Sequence, residues 1–492
     1  MSPARRAIVL LGFLVAGEAG AQTLHEMVVT GPRDKRINLV YLGEGFSWLY
    51  QGLFLSYALS SKNEILSSEP FQTYAPYLNF YRIQVNSVQD GSDHPANAAD
   101  EPYPGTIQTL NTYFNSTFDF GGTHRCIYLP SNGQQTAFTA LGNLLPEYDV
   151  PFVLVNHSWS GGCAGEFAVF TTSELSPQTS VHEMGHTFAN LDDEYETYTS
   201  SPGGGLDNRP NTTTQTQRAL IKWNHWIDAE TPVPTPEDPV LYGDVVGLFR
   251  GAHYNPTTWY RPKFVCKMRD STEPFCEVCR EAIVLEIYRR LDPIESFDPP
   301  AGTIQVSGPE SIPFSVAPMT PATHDLDVLW LVDGAAVPGE TGTSFLLDSG
   351  TLSQGLHTVA VLVSDPTPFV RSDPQGLLAS SRSWTVEQEA TTAAADPPDP
   401  SAPFLFQSSP NPMSRSTRIR FFAPAGSRTR LVVFDLAGRA ARTLLEEEGR
   451  GGVTDVAWDG TDDAGRPVAK GVYVVALFAD GVRASRKLVV TR

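Results

Sequence analysis

Positive charge is scarce in this chain. Its 492 residues carry 35 Lys and Arg against 55 Asp and Glu, a net charge of −20. So acidic a surface repels phosphate backbones, which excludes nucleic acid as a partner and disfavours anionic surfaces. Long apolar runs are missing too. After the first residues no stretch approaches the roughly 18 continuous apolar residues of a membrane-spanning helix. Cysteine is limited to five, an odd number, so the sequence alone does not settle their pairing. None lies beyond Cys279, which excludes an inter-sheet disulfide in the later part of the chain. Beyond residue 300 histidine falls to His324 and His357, neither in a ligand-like cluster. Any metal chemistry therefore belongs to the first three hundred residues.

What is abundant is turn-forming residues, 39 Pro and 40 Gly, which suggest many turns and β-rich parts. The length suggests several domains. The chain starts with a basic segment, Arg5-Arg6, then the apolar run 7–17 and Ala19-Gly-Ala21, the pattern of an export signal cleaved after Ala21. The cysteines fit an oxidising compartment, with Cys126 and Cys163 as one candidate bridge. Cys266, Cys276 and Cys279 form a C-x9-C-x2-C cluster. It is too poor in nearby Cys and His for a four-ligand zinc site, so one disulfide with one leftover thiol is expected.

Organisation follows from pattern. Residues 22–110 read as an α/β lobe, with a buried strand at 37–42, a helix near 54–66 and a strand at 79–85. Residues 111–293 end in an amphipathic helix at 278–291, and the loop-rich stretch 196–245 carries Trp223 and Trp226 as anchors. From 300 to 388 short alternating runs at regular spacing predict an antiparallel, immunoglobulin-like sandwich. Residues 389–403 (EATTAAADPPDPSAP) read as a linker, and 404–492 as a second β module. Residues 22–293 are long enough to hold a core and a cleft of their own, so the later modules are expected to be dispensable for chemistry.

The densest chemical signal is His182-Glu183-Met184-Gly185-His186. Histidines four apart share one face of a helix and can hold the same Zn²⁺, and the intervening Glu183 is placed to take a proton from water at the metal. Ser176-Pro177 offers a helix start, and Asn190 a left-handed helix end. Val181, Met184, Phe188 and Leu191 form the apolar stripe that holds the helix to the core. An acidic cluster follows, Asp192, Asp193 and Glu194, as the source of a third ligand. His157 and His253 are outside candidates. Tyr195, Tyr254, Tyr260 and Arg261 are candidate donors to an oxyanion. The run 165–171 (GEFAVFT) reads as a strand that borders the cleft.

The motif and its surroundings resemble the M64 family of metallopeptidases, the IgA peptidase type. The matching pieces run in order: 37–47 (INLVYLGEGFS), 69–74 (EPFQTY), 79–82 (NFYR) with 87–91, HEMGH with 193–195 (DEY), 246–254 (VGLFRGAHY), 260–262 (YRP), 266–269 (CKMR) and 274–279 (PFCEVC). The resemblance implies a zinc-dependent endopeptidase with a metzincin-like α/β (α+β) core, here followed by two all-β modules. In strict metzincin spacing the third ligand is Asp192, but that spacing also needs glycine where Ala189 stands. The register of the DEY triplet points to Asp193, with Asp192 and Glu194 as alternatives. Met268 resembles the methionine of the turn beneath a metzincin metal. Residues 404–492 resemble FlgD-type and type IX sorting domains, which implies surface attachment or a secretion machinery as partner.

The expectation is a secreted zinc endopeptidase acting on extended polypeptide, with His182, His186 and Asp193 on Zn²⁺ and Glu183 as general base. The alternatives are an inactive surface-binding protein with a peptidase-like domain and a non-peptidase zinc hydrolase.

Overall fold

A computed structural model describes residues 22–196, 205–389, 403–436 and 438–491. The export signal expected at 1–21 and nearly all of the linker expected at 389–403 lie outside the described residues. The chain divides into two compact units, residues 1–388 and 389–492. No helix among the described residues is long and apolar enough to cross a membrane.

The first unit is built on a six-stranded sheet. Its strands are β1 (Thr23–Val28), β2 (Ile37–Glu44), β3 (Leu78–Gln84), β4 (Val150–Val155), β5 (Gly162–Ala164) and β6 (Ala168–Thr171), in the order β1-β3-β2-β4-β6-β5. The inner four are parallel, and β1 and β5 are antiparallel edges. Every residue of β2 is buried, because helices cover both faces. Leu39 and Tyr41 point to the side of α1 (Gln51–Ser67) and α3 (Ser176–Ala189), while Val40 and Leu42 point to α2 (Ser131–Leu144). The division expected at 110/111 is absent from this sheet. β2 pairs with β3 on one side and with β4 on the other, so the two expected segments are halves of one layer.

Among the described residues after α3, two short 3-10 turns (Arg218–Leu220 and Asn224–Trp226) and the helical turn α4 (Pro239–Tyr242) lead to the hairpin β7 (Phe249–Ala252) and β8 (Asn255–Arg261). Trp223 and Trp226 anchor this stretch as expected. Their indole N–H groups donate to Gly247 O and Glu281 Oε2, each at 2.8 Å. Helix α5 (Glu277–Arg290) then packs beside α3.

The sandwich that follows has two sheets. One is β10 (Thr303–Val306), β16 (Ala379–Gln388), β15 (Gly355–Ser364), β12 (Asp327–Val332) and β13 (Ala335–Ala336), in that order. The other is β14 (Ser344–Asp348), β11 (Ser311–Pro318) and β9 (Ile294–Asp298). Trp330, Trp384, Phe314 and Phe345 fill the space between them. The pairing is antiparallel except between β10 and β16, which run parallel. The sandwich is not a detached module. Met319 is buried in the core of the α/β part, and Phe369, Val370, Leu377 and Leu378 pack against that core. Asp365 accepts from Tyr74 (2.7 Å), Tyr288 and His324 (2.7 Å), and Glu281 Oε1 accepts the N–H groups of Arg371 and Ser372. The expectation that residues 22–293 supply their whole interior is corrected: loops of the sandwich complete it.

The second unit is a smaller pair of sheets. One comprises β17 (Phe404–Leu405), β18 (Thr417–Ala423) and β21 (Gly452–Trp458); the other orders β20 (Ala440–Glu448), β19 (Arg428–Asp435), β22 (Gly471–Ala479) and β23 (Val482–Val490). Ile419, Leu431, Val475 and Trp458 are buried between them.

Candidate metal centre

Helix α3 runs from Ser176 with Pro177 in its first turn. Its end is fixed by Asn190 at φ 54°, where the N–H groups of Asn190 and Leu191 donate to His186 O and Gly185 O. Ser176 does not cap it: the helix starts there, after Leu175, without a side-chain cap. Val181, Met184, Phe188 and Leu191 are buried at 3% exposure or less, the stripe read from their spacing. That stripe turns His182, Glu183 and His186 toward a cleft of about 650 Å³, whose walls include Arg125, Tyr195, Tyr254 and the edge strand β5.

The two imidazoles are held from behind. His182 Nδ1 donates to Lys267 O at 2.9 Å and His186 Nδ1 to Leu191 O at 2.8 Å, so both rings present Nε2 lone pairs to the cleft. Those Nε2 atoms are 3.2 Å apart. Asp193 Oδ1 lies 3.1 Å from one and 3.3 Å from the other, and it is a buried atom with no hydrogen-bond partner. Three lone pairs this close repel unless a proton or a cation sits among them. Burial disfavours the charged ring of His186, but the Asp193 carboxylate, with Glu183 and the Leu191 carbonyl, more than offsets this and pushes it up to about 9. Two carbonyl-oriented imidazoles and one buried carboxylate are a fitting donor set for Zn²⁺ with a fourth position open.

The three acidic residues after the helix face three ways. Asp193 turns to the histidines, and its other oxygen accepts from the Tyr254 hydroxyl. Asp192 turns away: its carboxylate accepts from His253 Nδ1 and Thr212 Oγ1, each at 2.7 Å, so it braces the loop. Glu194 is fully buried and faces Cys279, with burial holding its carboxyl well above the ordinary carboxylate range. The structure thus brings His182, His186 and Asp193 together and keeps Asp192, Glu194 and His253 out of that group. His157 is also elsewhere, packed against Phe118 and Trp159.

Glu183 is buried beside the imidazoles. Burial pushes its carboxyl above the usual value, against the pull of His182 and His186. Met268 lies under the helix, where a Cβ on Gly185 would come within 2.9 Å of its sulfur. Of the candidate oxyanion donors, Tyr195 and Tyr254 line the cleft. Arg261 is instead spent on Arg250 O and Gly251 O, and Tyr260 is a hairpin residue whose backbone pairs with Thr213. The structure adds Arg125, which donates to the Tyr195 hydroxyl and stacks on its ring at 4.9 Å. Nothing in the sequence around Arg125 marked it, since it reaches the cleft only through the Cys126–Cys163 disulfide and the chain beside it. The strand expected at 165–171 is shorter, and β6 is internal. The strand at the cleft is β5, whose first residue, Gly162, donates its N–H to Arg125 O at 3.1 Å.

A family profile described as IgA Peptidase M64 matches residues 25–242 and 238–287. No curated protein matches the chain. Among solved structures, dimeric latent PorU from Porphyromonas gingivalis is 18% identical over 40% of this chain and 20% of its own, with a TM-score of 0.16. The CbhA fibronectin(III)-like modules from Clostridium thermocellum are 9% identical over 40% of this chain and 93% of theirs, with a TM-score of 0.13. The chain thus spans a fifth of PorU's length.

Proposed function

From a chain that belongs to the IgA peptidase M64 family, its profile covering more than half of the residues, we propose a zinc-dependent endopeptidase that acts on extended polypeptide outside the cell. The observation that carries this reading is the convergence of His182 Nε2, His186 Nε2 and the orphaned Asp193 Oδ1 beside the buried Glu183. Bound there, Zn²⁺ supplies a Lewis acid that polarises the scissile carbonyl and acidifies water.

The chain's own residues do the rest. Glu183 takes the proton from the attacking water and passes it to the leaving amine; its raised affinity for protons suits both halves of that transfer. Tyr254 orients Asp193 through its hydroxyl, and Arg125 fixes Tyr195. Tyr195 and Arg125 line the cleft as donors for the oxygen that gains charge when the carbonyl is attacked. An extended substrate adds to the edge strand β5, main chain to main chain. The Cys126–Cys163 disulfide and the sequence of residues 1–21 support export, and the second unit is proposed as the part that attaches or sorts the protein.

The test is Glu183→Gln measured beside the parent for metal content and for cleavage of a mixed-sequence peptide library. The expected result is unchanged metal and a rate lower by about 10²–10⁴-fold or more. A parent that binds metal and cleaves nothing supports the binding-protein alternative. Full activity in the metal-loaded variant removes Glu183 from the chemistry.

A further inference from the structure

Directly behind the acidic loop lies a second convergent group. Cys266 sits in the loop after β8, Cys276 is the residue that caps α5, and Cys279 is in the first turn of that helix. Glu194 reaches them from the loop after α3. All four are at least nine-tenths buried, Glu194, Cys266 and Cys279 completely. Their ligand atoms all lie within 4.8 Å of one another. Cys266 Sγ is 3.6 Å from Cys279 Sγ, and Cys279 Sγ is 3.4 Å from Glu194 Oε1. Four donors at zinc bonding distances, about 2.3 Å for sulfur and about 2.0 Å for oxygen, form a tetrahedron with edges of about 3.5–3.8 Å.

These cysteines do not meet the expectation of one bridge and one leftover thiol. All three are free. Two of the contacts are at tetrahedral-edge distance, well beyond the roughly 2.05 Å of a bonded pair. The remaining Glu194 oxygen, Oε2, is buried and has no hydrogen-bond partner. A buried acid with one oxygen against a thiol and the other unsatisfied is costly in an interior, and a shared cation removes that cost. The N–H of Cys276 donates to Cys266 Sγ at 3.3 Å, and two of the sulfurs sit at the N-terminus of a 14-residue helix, whose dipole complements negative charge there.

We propose that Glu194, Cys266, Cys276 and Cys279 bind a second, structural Zn²⁺. Three sulfurs and one oxygen in a tetrahedral, sulfur-rich set select zinc among the divalent ions, and four protein ligands leave no open position for substrate. The site ties together the chain segments that build the catalytic one. Glu194 follows Asp193 directly, and its N–H donates to Met268 O at 2.8 Å. Lys267, next to Cys266, supplies the carbonyl that orients His182. Coordination also keeps three neighbouring thiols from oxidising, as an exported protein requires.

The test uses the full chain and cobalt as the probe. Co²⁺-loaded protein is expected to show an ultraviolet thiolate-to-cobalt charge-transfer band, and the band is expected to persist in the His182→Ala/His186→Ala variant, which empties the catalytic group. Cys276→Ser/Cys279→Ser is expected to lose that band and about one metal ion per chain. Where that variant fails to fold, a thiol count on the parent decides. Three thiols are expected in denatured, unreduced protein, and they are expected to be shielded in the native protein until a chelator is added. The proposal is overturned if the histidine variant has no thiolate band, or if a disulfide is found among the three cysteines. A thiolate band in parent protein that has no peptidase activity keeps this site and removes the endopeptidase reading, so the two fail separately.

Discussion

A Cβ at position 162 would sit 2.4 Å from Glu183 Oε1. Glycine is therefore needed there for room rather than for backbone freedom. The atom it would meet is the tip of a flexible side chain, so Gly162→Ala is expected to push the base aside and leave the fold intact. A displacement of about 1 Å can cost about 10²-fold in rate, and kcat is expected to fall by that order with thermal stability unchanged. A melting temperature that falls with the rate would mean that the clash is absorbed by the backbone. Tyr254 bears on the metal instead. Its hydroxyl holds Asp193 in place, so Tyr254→Phe is expected to weaken metal binding by about 10–100-fold, read by competition with a chelator. Affinity equal to the parent's would show that Asp193 needs no such support. Position by position, the site was partly legible in the sequence. The spacing of His182 and His186 and the apolar stripe between them placed both rings. Among Asp192, Asp193 and Glu194 only the register of the family resemblance pointed to Asp193; spacing alone does not choose, because three successive carboxylates in a turn point in different directions and the loop's backbone decides which reaches the histidines.

At the scale of elements, the strongly patterned segments matched their readings. The strand expected at 37–42 is β2, the helix near 54–66 is α1, and that at 278–291 is α5, each within a few residues. The strand β5 had no such signal. Gly162-Cys163-Ala164 has no strand-forming side chain apart from a cysteine, and it is a strand only because β6 offers it an edge and the disulfide to Cys126 ties it down. The bridge closes a loop of 37 residues, and chain-entropy arguments assign such a closure about 3–4 kcal/mol. Cys126→Ser/Cys163→Ser is expected to lose stability of that size in denaturant unfolding. Because β5 and Arg125 sit at its two ends, KM for long peptides is expected to rise more than kcat falls. Equal kinetics at reduced stability would separate the bridge from substrate binding.

For the whole molecule, local pattern marked the sandwich and the terminal β module but not which parts share a core. The parallel pairing of β2 with both β3 and β4, and the packing of Phe369 and Leu377 onto the α/β core, join residues far apart in sequence, and no local periodicity records such contacts. Two truncations test the resulting division. A chain ending at residue 388 keeps the whole first unit and is expected to retain metal and peptidase activity. A chain ending at 293 leaves Tyr74 and Tyr288 without Asp365, and Glu281 Oε1 without the N–H groups of Arg371 and Ser372. Buried polar groups stripped of partners cost about 1–3 kcal/mol each, and the apolar surface left bare adds to that, so this chain is expected to be insoluble or unfolded. A soluble, active 22–293 fragment would show that the sandwich is an appendage after all.

The three-residue strand at the lip of the cleft has a consequence for what such an enzyme selects. A sheet edge recognises amide groups, which every protein shares, and it recognises them only where a segment is free to lie straight. Discrimination among targets then rests less on which side chains flank the cut than on whether the target has a slack stretch long enough to be drawn across β5. If substrate adds to β5 as proposed, compact domains are expected to pass untouched and the tethers between them to be cut.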